Sequence, residues 1–89
     1  MKDGIKSCFK GYEIRIDDNI EDNDIYFADE DGIYMMRIVN NYLSTEAAIN
    51  KGIAEYEAMY NSLPSAIAIT LTTAQNLMMS NEWINIKET

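Results

Sequence analysis

The chain has no histidine, one cysteine and one proline among its 89 residues. Histidine is the side chain that most often moves protons near neutral pH, so its absence removes the usual general acid or base and predicts a protein that is not an enzyme. A carboxylate pair is a chemical substitute, but so short a chain has little room for the cleft that would raise one carboxylate's pKa. Cys8 alone forms no internal disulfide and no Cys/Cys or Cys/His zinc site, and reads as a small half-buried apolar residue. Four scattered glycines (Gly4, Gly11, Gly32, Gly52) make neither a dinucleotide-binding fingerprint nor a phosphate loop. No apolar run approaches the ~20 residues of a membrane-spanning helix, and Met1–Lys6 does not resemble a signal peptide. These absences predict a cytoplasmic protein without a cofactor.

Bases are missing locally as well. From Asp17 to Asp31 there is no Lys or Arg, while eight carboxylates fall there: Asp17, Asp18, Glu21, Asp22, Asp24, Asp29, Glu30 and Asp31. They account for the whole net charge of −8, and the remaining residues carry seven acids and seven bases. A neutral body with one concentrated negative surface suits a basic protein surface and repels free nucleic acid and anionic membrane. A dedicated calcium loop is not spelled out. Counted from Asp17 or from Asn19, the sixth position is Asp22 or Asp24, where the turn needs glycine. The bases Lys2, Lys6, Lys10 and Arg15 form a modest group that reads as a solvated end.

What remains is the pattern of one folded domain, residues 1–89. Tyr12, Ile14 and Ile16 alternate with Glu13 and Arg15, the period of a half-buried strand. A second strand is predicted over Asp24–Ala28. Asp29-Glu30-Asp31-Gly32 reads as a tight hairpin turn into a third strand, Ile33–Val39. That strand is apolar on both faces, which predicts a position in the middle of its sheet or covered on both sides. Ser44 reads as the cap of a helix over Thr45–Ser62, and Ala48, Ile49, Ile53, Tyr56, Met59, Tyr60 and Leu63 recur at helical spacing. Gly52 interrupts it at a cost of roughly 1 kcal/mol and would permit close packing on the sheet.

After Pro64 the pattern divides. A strand near Ala66–Thr70 followed by a helix near Thr72–Ser80, opened by a capping box at Thr72–Gln75, competes with one continuous helix from Ser65 to Ser80. Trp83–Ile86 alternates as a closing strand. The order β-β-β-α-(β)-α-β predicts an α+β fold, a small mostly antiparallel sheet with helices packed on one face. Six tyrosines and the adjacent pairs Met35-Met36 and Met78-Met79 are many for this length. Each Met pair must point two ways, which leaves a homodimer open.

Three segments carry a resemblance: Phe9-Lys10-Gly11-Tyr12-Glu13-Ile14, Pro64-Ser65-Ala66 and Glu82-Trp83-Ile84-Asn85-Ile86. With the short, acidic, histidine-free composition, they resemble small phage or prophage anti-CRISPR proteins that act on type I CRISPR-Cas complexes. The resemblance implies a stoichiometric inhibitor whose Asp and Glu side chains occupy Lys/Arg positions that otherwise grip DNA. Its partner would be a basic surface on a Cas effector complex or nuclease. The eight carboxylates of 17–31 are the candidate contact residues on charge alone. Two other readings fit the same composition: an antitoxin or immunity protein that covers a basic toxin, and a structural or oligomerising accessory protein.

Overall fold

A computed structural model describes residues 5–30, 32–38 and 44–87, with side chains described from 7 to 85 within those ranges. Eight elements follow in order: β1 (Ile5–Phe9), β2 (Tyr12–Ile16), β3 (Asp24–Asp29), β4 (Gly32–Arg37), α1 (Thr45–Tyr60), β5 (Ala66–Ile69), α2 (Leu71–Leu77) and β6 (Trp83–Lys87). The strands form one sheet in the order β4-β3-β5-β2-β1-β6. Every neighbouring pair is antiparallel except β2–β5, which is parallel. This is a small α+β fold with a mostly antiparallel sheet, and the strand-then-helix reading of 65–80 holds against the continuous helix.

The registers fix which side chains share a face. Phe9 pairs with Tyr12, Ile14 with Ile67, Ile67 with Phe27 and Ile25 with Met36. These residues therefore project from one side of the sheet. There they bury against Ala48, Ile49 and Tyr56 of α1 and Ala74 and Leu77 of α2. The helices cover that side alone. The opposite side carries Ile33, Met35, Tyr26, Ala28, Ala66, Ala68, Glu13, Arg15, Cys8 and Ile84, as the alternation requires. Cys8 is half-buried, as its isolation in the sequence suggests.

Each turn and cap has a local cause. Lys10 and Gly11 both take positive φ (55° and 88°), the left-handed pair that closes a two-residue hairpin between Phe9 and Tyr12. Ser44 caps α1, its Oγ accepting from the Ala47 N–H at 3.1 Å. At the far end Asn61 is left-handed (φ 57°) and its N–H donates to the Glu57 carbonyl. Helix α2 starts earlier than the capping box suggests. Thr70, extended at the end of β5, accepts the Thr73 N–H on its Oγ1 at 3.3 Å, so the cap is Thr70 rather than a residue of Thr72–Gln75.

Two features depart from the sequence reading. β1 has no counterpart there: Ile5-Lys6-Ser7-Cys8-Phe9 alternates, but only Phe9 supplies a large side chain to the described core. Among the described residues β4 is the outer strand, not a central one, and it is covered on one side only. Tyr34 and Met36 lie on the helix side, while Ile33 (64% exposed) and Met35 (41%) lie on the open side. Val39, expected in this strand, lies outside the described residues.

Helix α1 crosses the strands rather than running along them. Near its start Glu46 approaches Lys10 of the β1–β2 turn at 3.8 Å, and near its end Tyr56 and Tyr60 reach β4. Midway it rides on Phe27 at Gly52, where any Cβ would run into the Phe27 ring. Both residues are fully buried or nearly so, so the ring has nowhere to move. Gly52→Ala should therefore destabilise the fold by about 1–3 kcal/mol through overpacking, although alanine is the better helix former by about 1 kcal/mol. Thermal melting decides the sign. A variant more stable than the parent would mean that α1 does not approach the sheet there.

Candidate functional site

The eight carboxylates do not form one row. β3 is six residues long, so its ends lie roughly 17 Å apart at the usual strand rise. Asp17, Asp18, Glu21 and Asp22 occupy the β2–β3 loop at one end of the sheet, and Asp29 and Glu30 occupy the β3–β4 turn at the other. Asp31 lies outside the described residues.

Asp24 stands apart from all of them. It is 3% exposed, and its two carboxylate oxygens accept from Arg37 Nε at 2.7 Å and Nη2 at 3.1 Å. The two residues are cross-strand partners in the β3–β4 ladder. Hydrogen bonding from Arg37, supported by its charge, holds the Asp24 carboxyl below its ordinary value, against the opposing pull of desolvation. Asp24 is thus engaged inside the fold. Arg37 is the residue that sequence reading missed, although the register was legible: with Asp29 opposite Gly32 across the turn, Asp24 falls opposite Arg37.

The β2–β3 loop is held at several points. The Asp17 N–H donates to the Ile69 carbonyl at 2.8 Å, which continues the parallel β2–β5 pairing past the strand. Asp17 Oδ1 accepts from the Asn19 N–H at 2.9 Å, a local turn that fixes the next residues. The Thr73 hydroxyl of α2 donates to the Asp22 carbonyl at 2.7 Å. The Asp24 N–H donates to Glu21 O, and Ile38 N–H to Asn23 O. The loop backbone is therefore bound to β5, α2 and β4 together. Its carboxylates point elsewhere: Asp18, Glu21 and Asp22 are exposed and Asp17 is half-buried. No salt bridge among the described residues involves any of the four. An open groove of about 370 Å³ lies beside them, lined by Glu21, Asp22, Asn23 and Arg37.

At the other end Asp29 Oδ1 accepts from the Glu30 N–H at 2.6 Å, and Glu30 is exposed at the tip. Among the described residues, no three Cys, Asp or Glu side chains converge in a way that would hold a metal ion. No described helix is long and apolar enough to cross a membrane. No protein-family model, curated protein or solved structure matches the chain.

The Asp24–Arg37 pair gives a pH signature. A carboxyl whose folded pKa lies below the unfolded value near 3.9 stabilises the fold fully above that value, and the contribution fades as pH falls through it toward the folded pKa. Asp24→Asn should lower the melting temperature at pH 7 by roughly 4–8 °C, the response of a small domain to a loss of about 1 kcal/mol from a charge pair whose arginine is open to solvent. The gap between parent and variant should close below about pH 4. A gap that stays constant down to pH 2.5 would mean that Asp24 carries no depressed pKa.

Proposed function

We propose that the chain is a stoichiometric inhibitor, which docks on a basic surface of a nucleic-acid-handling host defence complex of the type I CRISPR kind and blocks DNA binding there with its carboxylates. The supporting observation is the β2–β3 loop: its backbone is fixed by five hydrogen bonds, yet Asp18, Glu21 and Asp22 are left exposed. Charges held in place before binding pay little ordering entropy on binding, and they speed encounter with an oppositely charged groove.

The spacing of the two acidic ends also fits a DNA path. About 17 Å spans roughly five phosphates along one strand at 3.4 Å each. Asp17, Asp18, Glu21 and Asp22 would answer one set of cationic side chains, and Asp29, Glu30 and Asp31 a second. Asp24 contributes by holding Arg37 and the start of β3, not by contact.

The test is a titration of a purified type I surveillance complex, with binding of its target DNA as the readout. Wild-type chain should abolish DNA binding near one-to-one stoichiometry. Its effect should weaken as salt rises from about 50 to about 200 mM. The variant Asp17→Asn/Asp18→Asn/Glu21→Gln/Asp22→Asn should lose at least about tenfold in potency while its melting temperature stays within about 2 °C of the parent. A four-amide variant as potent as the parent would refute the electrostatic mechanism. Undisturbed DNA binding in excess chain would refute the assignment.

A further inference from the structure

Among the described residues β4 ends the sheet, so one row of its backbone groups has no neighbouring strand. The Ile38 N–H donates to the Asn23 carbonyl, and the antiparallel alternation then turns Gly32, Tyr34 and Met36 toward β3. The N–H and C=O groups of Ile33, Met35 and Arg37 point away from the sheet. Such an edge is a template for a further strand, and natural sheets blunt theirs with Lys, Pro, bulges or covering segments. β4 reads Gly-Ile-Tyr-Met-Met-Arg, has no proline or lysine, and pairs with β3 in unbroken register over all six residues. Its own sequence therefore supplies no such protection.

The last turn of α1 does. Tyr56 and Tyr60 stand one turn apart with ring centroids 4.6 Å from each other. The Tyr56 hydroxyl donates to the Gly32 carbonyl at 3.1 Å and the Tyr60 hydroxyl to the Ile33 carbonyl at 3.0 Å. Consecutive strand carbonyls point to opposite edges, so Tyr56 engages an inner carbonyl and Tyr60 an outer one. The Tyr60 ring reaches that position by lying against Gly32, where a Cβ would stand 2.5 Å from its atoms.

We infer that Tyr60 closes the β4 edge to strand addition. A strand pairing with Ile33 must take the carbonyl that the Tyr60 hydroxyl already holds, and must displace that hydroxyl to do so. The other end of β4 is closed by charge. Arg37 is held by Asp24 and lines the groove that also carries exposed Glu21 and Asp22. A second copy's β4 would bring its own acidic loop, if parallel, or its turn at exposed Glu30, if antiparallel, against those acids. Met35, between the two, is too short a stretch to pair alone. The device keeps an apolar outer strand from recruiting copies of itself.

Sedimentation velocity from about 10 µM to about 1 mM tests the inference, in about 0.5 M salt so that repulsion between the acids is screened. The parent chain should keep the monomer mass throughout. Tyr60→Phe retains the ring and loses the hydroxyl. It should keep the parent's circular dichroism spectrum, yet populate species of twice the monomer mass or larger, with a dissociation constant below about 1 mM. Tyr60→Ala should associate more strongly still. Adding Met35→Pro to Tyr60→Phe should restore the monomer, because it removes an outward N–H at an edge position where proline is tolerated. A parent that associates as readily as Tyr60→Phe would show that the edge is not closed and overturn the inference. A folded Tyr60→Phe chain that stays monomeric up to about 1 mM would overturn it as well. Loss of the folded spectrum in Tyr60→Phe would reduce the hydroxyl to a tie within the fold, and association that survives Met35→Pro would place the contact elsewhere than β4; either result also overturns it.

Discussion

The contact of Gly52 with the Phe27 ring is the constraint from which the rest of the architecture follows. It brings α1 onto the sheet at β3 and makes it cross the strands. From that crossing, Tyr56 and Tyr60 reach the carbonyls of Gly32 and Ile33, and the Tyr34 hydroxyl donates to Glu55. The Glu55 hydrogen bond, with burial and the carboxylate's charge adding to it, pushes the Tyr34 hydroxyl above its ordinary pKa. β4 is thus fastened to the helix by three tyrosine hydroxyls as well as to β3 by its ladder. A small domain has a thin core, and these polar ties hold an outer strand that apolar burial alone would hold weakly.

The same crossing decides where the surface is unfinished. With α1 and α2 on one side, the opposite side carries Ile33, Met35 and Ile84 into solvent along with the paired Glu13–Arg15. The two acids that the strands place on that face, Glu13 and Asp24, are each paired with an arginine, whereas the loop and turn acids sit at the two ends of the sheet. The exposed acids of the loop and turn and the exposed apolar side chains of the open face therefore occupy different places on the molecule.

Much of this was legible from the residues. Ser44 and the stripe Ala48, Ile49, Tyr56 mark α1 because capping and helical period agree there. The hairpin itself was legible in the run Asp29-Glu30-Asp31-Gly32, although Gly32 pairs with Asp29 as the first residue of β4 and so does not supply the turn's central position. Less legible was anything set by distant pairing. The parallel β2–β5 contact joins segments some fifty residues apart, and no local pattern encodes it. β1 escaped because Lys6 and Ser7 interrupt its apolar content. The two-sided apolarity of β4 suggested a central or doubly covered strand, whereas among the described residues it is the outer strand and covered on one side only. Asp24 was indistinguishable by charge from its seven neighbours in the run, and only its register against Arg37 separates a structural carboxylate from an exposed one.

Amide hydrogen exchange along β4 in dilute solution tests the central claim most directly. If β4 is the outer strand, fastened to β3 on one side and open on the other, protection must alternate. The N–H groups of Tyr34, Met36 and Ile38 should exchange slowly, and those of Met35 and Arg37 should exchange at rates close to those of an exposed chain. Uniform slow exchange from Ile33 to Ile38 in monomeric protein would place β4 inside the sheet and contradict the account.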